Sequence, residues 1–151
     1  MIAKVFVDTN VLVYCRDASD PEKQRRALGW MEALWEGRTG RLSFQVLQEF
    51  YVTVTVKLDP GLSPELARLS VRLLQAWKPV AVDSRLLEEA WRIQDRFRLR
   101  WWDSLIVAAA QMSDCRYLLS EDFQEGMEMG DLKVINPFLN NPENFWASSS
   151  H

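Results

Sequence analysis

Short, β-branched apolar runs alternate along this chain with longer stretches whose apolar residues recur at helical spacing, and this alternation limits the fold most. Residues 2–7 are apolar apart from Lys4 and stop at Asp8-Thr9-Asn10, as a central strand buried on both faces does. Between Pro21 and Gly37, the residues Ala27, Trp30, Met31, Leu34 and Trp35 mark one face of an amphipathic helix, with Gly37 as its stop. Residues 41–44 read as a second strand. Residues 45–58 are ambiguous: "VTVTV" alternates like a strand, whereas Val46, Leu47, Phe50, Tyr51 and Val54 fit a helical face. Helix is the expectation there. Ser63 as N-cap and Pro64 at the first helical position then open a helix along Leu66, Leu69, Leu73, Leu74 and Trp77. Residues 79–82 can form a short strand, Asp83 or Ser84 caps a helix to about Leu99, and Asp103 begins another containing "LIVAAA". Residues 116–119 and 132–135 complete the set of strands. Strands separated by helices imply an α/β fold, a mostly parallel sheet between two helical layers. With 151 residues and 48% hydrophobic composition, the chain fits one core, expected over residues 1–138, followed by a polar, fraying tail over 139–151.

Elimination narrows the chemistry. The only histidine is His151, which leaves no support for an imidazole base or a His-ligated zinc. The two cysteines, Cys15 and Cys115, form no C-x-x-C pair and suit buried positions. The six glycines build neither a dinucleotide fingerprint nor a P-loop, and no G-x-S-x-G elbow occurs. The apolar stretch 105–110 is far shorter than the ~20 residues of a membrane span, and no basic-then-apolar leader opens the sequence, so no membrane partner and a cytoplasmic location are expected. A formal net charge of −3 argues against a global positive field that attracts nucleic acid.

Acids remain. Asp8 ends the first strand, Asp122 follows the fourth in "LLSED", and Asp103 begins the helix before that strand. Ligands of open α/β sheets collect outside the carboxyl ends of the strands, so these acids are expected at one rim. Glu49, with Val46 and Val52 one turn away on either side, has an apolar neighbourhood for an acid and can point into the same crevice. Uncompensated carboxylates in one cleft repel unless a cation joins them, and hard oxygen ligands suit Mg²⁺ or Mn²⁺. Each acid also has a plainer reading. Asp8 can bond turn amides, Asp103 can favour the positive end of its helix, Asp122 with Glu125 resembles a capping box, and Glu49 can be solvated.

Four segments, "VFVDTNVLVY", "LSFQVLQEFY", "WWDSLIVAAA" and "LLSEDFQEG" with "VINPF", carry a family likeness between residues 5 and 138. They resemble the landmark segments of PIN-domain proteins, above all the VapC-type ribonuclease toxins of bacterial toxin–antitoxin pairs. The resemblance implies a three-layer α/β/α fold and an endoribonuclease using Mg²⁺ or Mn²⁺. It places the family's four acids on Asp8, Glu49, Asp103 and Asp122 as catalytic and metal-binding residues, and its polar helpers on Asn10, Ser43 and Ser120, with Thr9 less secure. Glu121 is a further ligand or a solvated neighbour, the second being favoured. The resemblance also implies a homodimer and a small antitoxin that inserts a segment, with an arginine reaching the carboxylates.

A negative protein that cuts a negative polymer needs local positive charge. Arg92, Arg96, Arg98 and Arg100, with Arg85 on the same stripe, are the candidate RNA contacts; the alternative is an exposed helix face paired by Glu89. Arg25, Arg26, Arg38 and Arg41 form a weaker set. Trp101 and Trp102 offer base stacking or core packing, and Phe138, Phe145 and Trp146 a core edge or a subunit contact. Two competing functions stay open. One is a PIN-like module that binds RNA without cleaving it. The other is a phosphatase of the haloacid dehalogenase type, disfavoured because Asn10 stands where that class has its second Asp and Lys133 lies within the last strand.

Overall fold

Val5, Phe6 and Val7 form β1 (Val5–Val7), buried on both faces, and the rest of the sheet is laid down around it in this computed structural model. Residues 3–146 are described; the expectations placed on Ile2, on the Trp146 ring and on His151 lie outside the described residues and side chains. The sheet has five strands in the order β2-β1-β3-β5-β4, with β2 (Gly40–Arg41), β3 (Tyr117–Leu119), β4 (Glu128–Met129) and β5 (Leu132–Ile135). All pairings are parallel except the edge pair β4–β5, whose turn holds Gly130 at φ +62°.

The helices follow as α1 (Thr9–Tyr14), α2 (Pro21–Gly37), α3 (Phe44–Val52), α4 (Pro64–Leu74), α5 (Ser84–Phe97), α6 (Trp101–Met112) and α7 (Glu143–Trp146). They flank the sheet, as the three-layer expectation requires. The ambiguous segment is helical: α3 runs on into a π-helical turn, Thr53–Lys57. Ser63, Asp83 and Asp20 each cap a helix by accepting a backbone N–H, and Pro64 and Pro21 occupy first-turn positions. α6 needs no polar face in its middle, because Leu105 to Ala110 are all buried.

Several expected boundaries move for identifiable reasons. The strand at 2–7 shrinks to Val5–Val7, although Lys4 still accepts from Arg116 N–H. The strand at 41–44 gives way to Gly40–Arg41, because the Ser43 side chain accepts the Val46 N–H and starts α3 at Phe44. The strand at 79–82 reduces to a single bridge at Val80, held by Phe44 N–H and Leu42 C=O. α6 begins at Trp101, so Asp103 sits within its first turn. No helix follows Asp122, which removes its capping-box reading; Glu125 instead accepts from the Asn136 N–H. Beyond residue 138, the Phe145 ring lies 5.8 Å from Trp30 and 5.2 Å from Tyr117, and Trp30 Nε1 donates to the carbonyls of Pro137 and Asn140.

Candidate functional site

The carboxyl ends of β1 and β3 lie side by side, and the polar residues that follow each strand interlock. Asp8 N–H donates to Leu119 O at 3.0 Å, which carries the sheet pairing one residue past β1. The chain then turns into α1. Asp8 is its N-cap, with extended backbone and a side chain that accepts from Thr9 N–H at 2.8 Å. The plain reading of Asp8 as a turn former therefore holds, but it uses only one carboxylate oxygen. The other, Oδ2, accepts from Ser120 Oγ at 2.7 Å and from Asn10 Nδ2 at 3.3 Å.

Asn10 ties the two rims together. Its Nδ2 is 3.1 Å from Ser120 Oγ and 3.1 Å from Asp122 Oδ2, and its Oδ1 accepts from Glu121 N–H. Ser120, fully buried, donates to Asp8 and accepts from Asp122 N–H. Glu49 approaches from α3: its carboxylate accepts from Thr9 Oγ1 at 3.3 Å and from Gln45 Nε2 at 2.7 Å. Gln45 also reaches Trp102 O at 3.4 Å, which links α3 to the start of α6. Asp103, one residue on, accepts from Arg100 Nε at 3.1 Å.

Asp8 is 7% exposed, and its carboxyl is pushed up to about 6. Burial is the main cause; hydrogen bonds from Ser120 and Thr9 oppose it, while the nearby charges of Asp122 and Glu49 add to it. Among the described residues, no Lys or Arg forms an ion pair with Asp8, Glu49 or Asp122. The structure thus joins Asp8, Asn10, Ser120 and Asp122 directly and couples Glu49 to them. Asp103 is engaged by Arg100, and Ser43 caps α3.

Their chemistry fits a hard divalent cation: oxygen donors only, one of them buried, and of the four acids only Asp103 pairs with a cation among the described residues. As placed, no three His, Cys, Asp or Glu side chains among the described residues converge closely enough to hold an ion. Of the basic stripe, Arg92 pairs with Glu89, Arg100 with Asp103, and Arg96 and Arg98 are exposed. Trp101 is half-buried and stacks on Trp91 at 6.1 Å, whereas Trp102 is 66% exposed.

Three participants were not singled out from the sequence. Gln45 stands one helical turn before Glu49, a spacing that could have marked it. Lys23, which donates to Glu121 and to the Tyr14 hydroxyl outside the acidic rim, and Tyr14 itself gave no local signal, being far from Glu121 in the chain.

A mostly parallel sheet flanked by helices, with carboxylates gathered where β1 and β3 end, defines an α/β fold of the open-sheet type. The PIN domain model matches residues 5–124, and the chain belongs to the PIN-domain family. This excludes the haloacid dehalogenase alternative. No curated protein sequence matches the chain. Among solved structures, it is similar to a toxin–antitoxin complex from Klebsiella pneumoniae, at TM-score 0.65 and 17% identity over 89% of this chain and 98% of that one. It is also similar to FitAcB from Neisseria gonorrhoeae, at TM-score 0.61 and 18% identity over 89% and 98%. VapC20 of Mycobacterium tuberculosis, described as a Sarcin-Ricin loop cleaving toxin, gives TM-score 0.56 and 19% identity over 76% and 87%. At these identities the likeness is one of fold.

Proposed function

We propose that this chain is a metal-dependent endoribonuclease that hydrolyses RNA phosphodiester bonds, and the toxin member of a toxin–antitoxin pair. One observation carries the reading: a buried carboxylate, Asp8, is bonded into a network with Asp122, feels Glu49, and forms no ion pair with a cation among the described residues. Asp8, Glu49, Asp103 and Asp122 are assigned as the residues that hold Mg²⁺ or Mn²⁺. A divalent cation bound there supplies an acidified water and offsets charge on the phosphate oxygens. The chain's own residues do the rest. Ser120 Oγ and Asn10 Nδ2 donate to Asp8 and fix the direction of its free lone pairs, and Asn10 holds Asp122 to the same side. Thr9 and Gln45 orient Glu49. Loading requires Asp8 to lose its proton and Asp103 to exchange Arg100 for the ion.

The toxin assignment is supported by family membership and by the fold shared with the Klebsiella and Neisseria proteins. An antitoxin partner is supported by apolar side chains left exposed on α4, namely Leu66, Leu69 and Leu73. Homodimerisation rests on the family likeness alone. An RNA substrate implies a cytoplasmic chain; no described helix is long and apolar enough to cross a membrane.

The separation of the carboxylates favours a second reading, an RNA-binding module that does not cleave. Incubating structured RNA with antitoxin-free protein and Mn²⁺ or Mg²⁺ separates the two. The enzyme reading expects cleavage that EDTA stops and that Asp8→Asn and Asp103→Asn abolish in folded protein. Binding without cleavage by the wild type under either metal refutes it.

A further inference from the structure

The Lys23 ammonium is held by groups from three parts of the fold. It donates to Glu121 Oε2 at 2.8 Å and to the Tyr14 hydroxyl at 3.4 Å, and stands 4.8 Å and 4.9 Å from the ring centroids of Tyr14 and Phe138. Those two rings meet edge to face at 5.1 Å, so an acid and two aromatic faces surround the cation. Lys23 lies in the first turn of α2, where a positive charge opposes the helix dipole. Helix stability therefore does not explain its position, whereas the contact with Glu121 does.

Glu121 belongs to the three-residue link, Ser120-Glu121-Asp122, that closes the acidic rim. One side of this link is bonded into the rim: Glu121 N–H to Asn10 Oδ1, Asp122 N–H to Ser120 Oγ, and Asp122 Oδ2 to Asn10 Nδ2. On the other side the Ser120 N–H donates to Ile135 O of β5 at 3.0 Å, and beyond Ser120 the hold comes through the Glu121 side chain, whose oxygen is engaged by Lys23. We propose that Lys23 is a positioning residue: with Tyr14 and Phe138 it draws the Glu121 carboxylate outward, away from the acidic rim, and so fixes the link in the one arrangement that presents Asp122 beside Asp8. Glu121 is thereby neither a fifth acid at the rim nor a free, solvated neighbour. The inference rests on the rim being the working site.

Amide hydrogen exchange in metal-free protein tests the positioning without any activity. In Lys23→Met, which keeps the aromatic packing and removes the ammonium, the Glu121 and Asp122 amides are expected to exchange about tenfold faster, while Leu118 and Val107 in the core keep wild-type rates. Lys23→Arg should restore slow exchange, and in Glu121→Gln the added Lys23→Met change should have no further effect. Mn²⁺ titration gives a second readout of opposite sign to simple electrostatics. Removing a positive charge near an acidic site tightens cation binding, whereas loss of positioning weakens it by about tenfold. Unchanged amide rates in Lys23→Met overturn the proposal, as does acceleration that extends through the core. If the wild type takes up no Mn²⁺, the metal reading fails while the exchange rates still decide the role of Lys23.

Discussion

At the scale of single residues, Asp8 sets the chemistry because its environment pulls in two directions. Hydrogen bonds from Ser120 and Thr9 favour its charge, yet burial and the neighbouring acids outweigh them and raise its carboxyl from an ordinary 3.8 to about 6. With the folded value above the unfolded one, the protonated acid is the form the fold prefers. Its contribution is complete below the unfolded value and is lost as pH rises through about 6, above which the buried charge costs on the order of 3 kcal/mol. Asp8→Asn should therefore melt higher than the metal-free wild type at pH 8, by ~8 °C, with the gap closing near pH 4; thermal unfolding across that range checks it. Added Mn²⁺ should stabilise the wild type at pH 8, act weakly at pH 5 where Asp8 is protonated, and leave Asp8→Asn unmoved, as calorimetric melting would register.

At the scale of elements, close packing around β2 positions Ser43 and hence α3 with Glu49. A Cβ placed on Gly40 would fall 2.4 Å from the Trp77 ring, so Gly40→Ala should cost ~2 kcal/mol and lower the melting temperature by ~5 °C. Gly29→Ala, in the open middle of α2, should instead raise stability by ~0.5 to 1 kcal/mol in denaturant titration. The same elements mark what was legible in the sequence. Strand β1 and helices α2, α4 and α5 were readable because caps, prolines and apolar periodicity are local signals. The segment 41–44 and Val80 were not, because one serine hydroxyl and one bridge, both long-range in origin, decide where pairing stops. The acids could be named from their motifs, but Asn10 as the shared donor, Gln45 as a bridge and Lys23 beneath Glu121 depend on contacts across as many as 112 residues.

At the scale of the whole molecule, a net charge of −3 means that the proposed RNA binding must rely on a local set of cations. Arg92 and Arg100 are already paired with Glu89 and Asp103; of the exposed arginines that form no ion pair among the described residues, Arg85, Arg96 and Arg98, the last two lie nearest Asp103 in the chain. Replacing both with alanine should weaken RNA binding evenly across sequences and reduce the slope of log affinity against log salt by ~0.7 per residue, read by fluorescence anisotropy between low and moderate salt. Arg100→Ala should differ. By freeing Asp103 it should raise Mn²⁺ affinity while leaving that salt slope nearly unchanged.

Asp8 after β1, Glu49 on α3, Asp103 on α6 and Asp122 in the link after β3 are proposed to hold one catalytic cation site. Crystals of wild-type protein grown with Mn²⁺ at pH 8 and measured at the manganese absorption edge test it most directly. The expected result is an anomalous peak bonded to Asp8 and reached by Asp103, Glu49 and Asp122, directly or through water, with Asp103 released from Arg100. An Asp8 still bonded only to Ser120, Asn10 and Thr9, with no peak beside it at saturating Mn²⁺, would rule the cation site out.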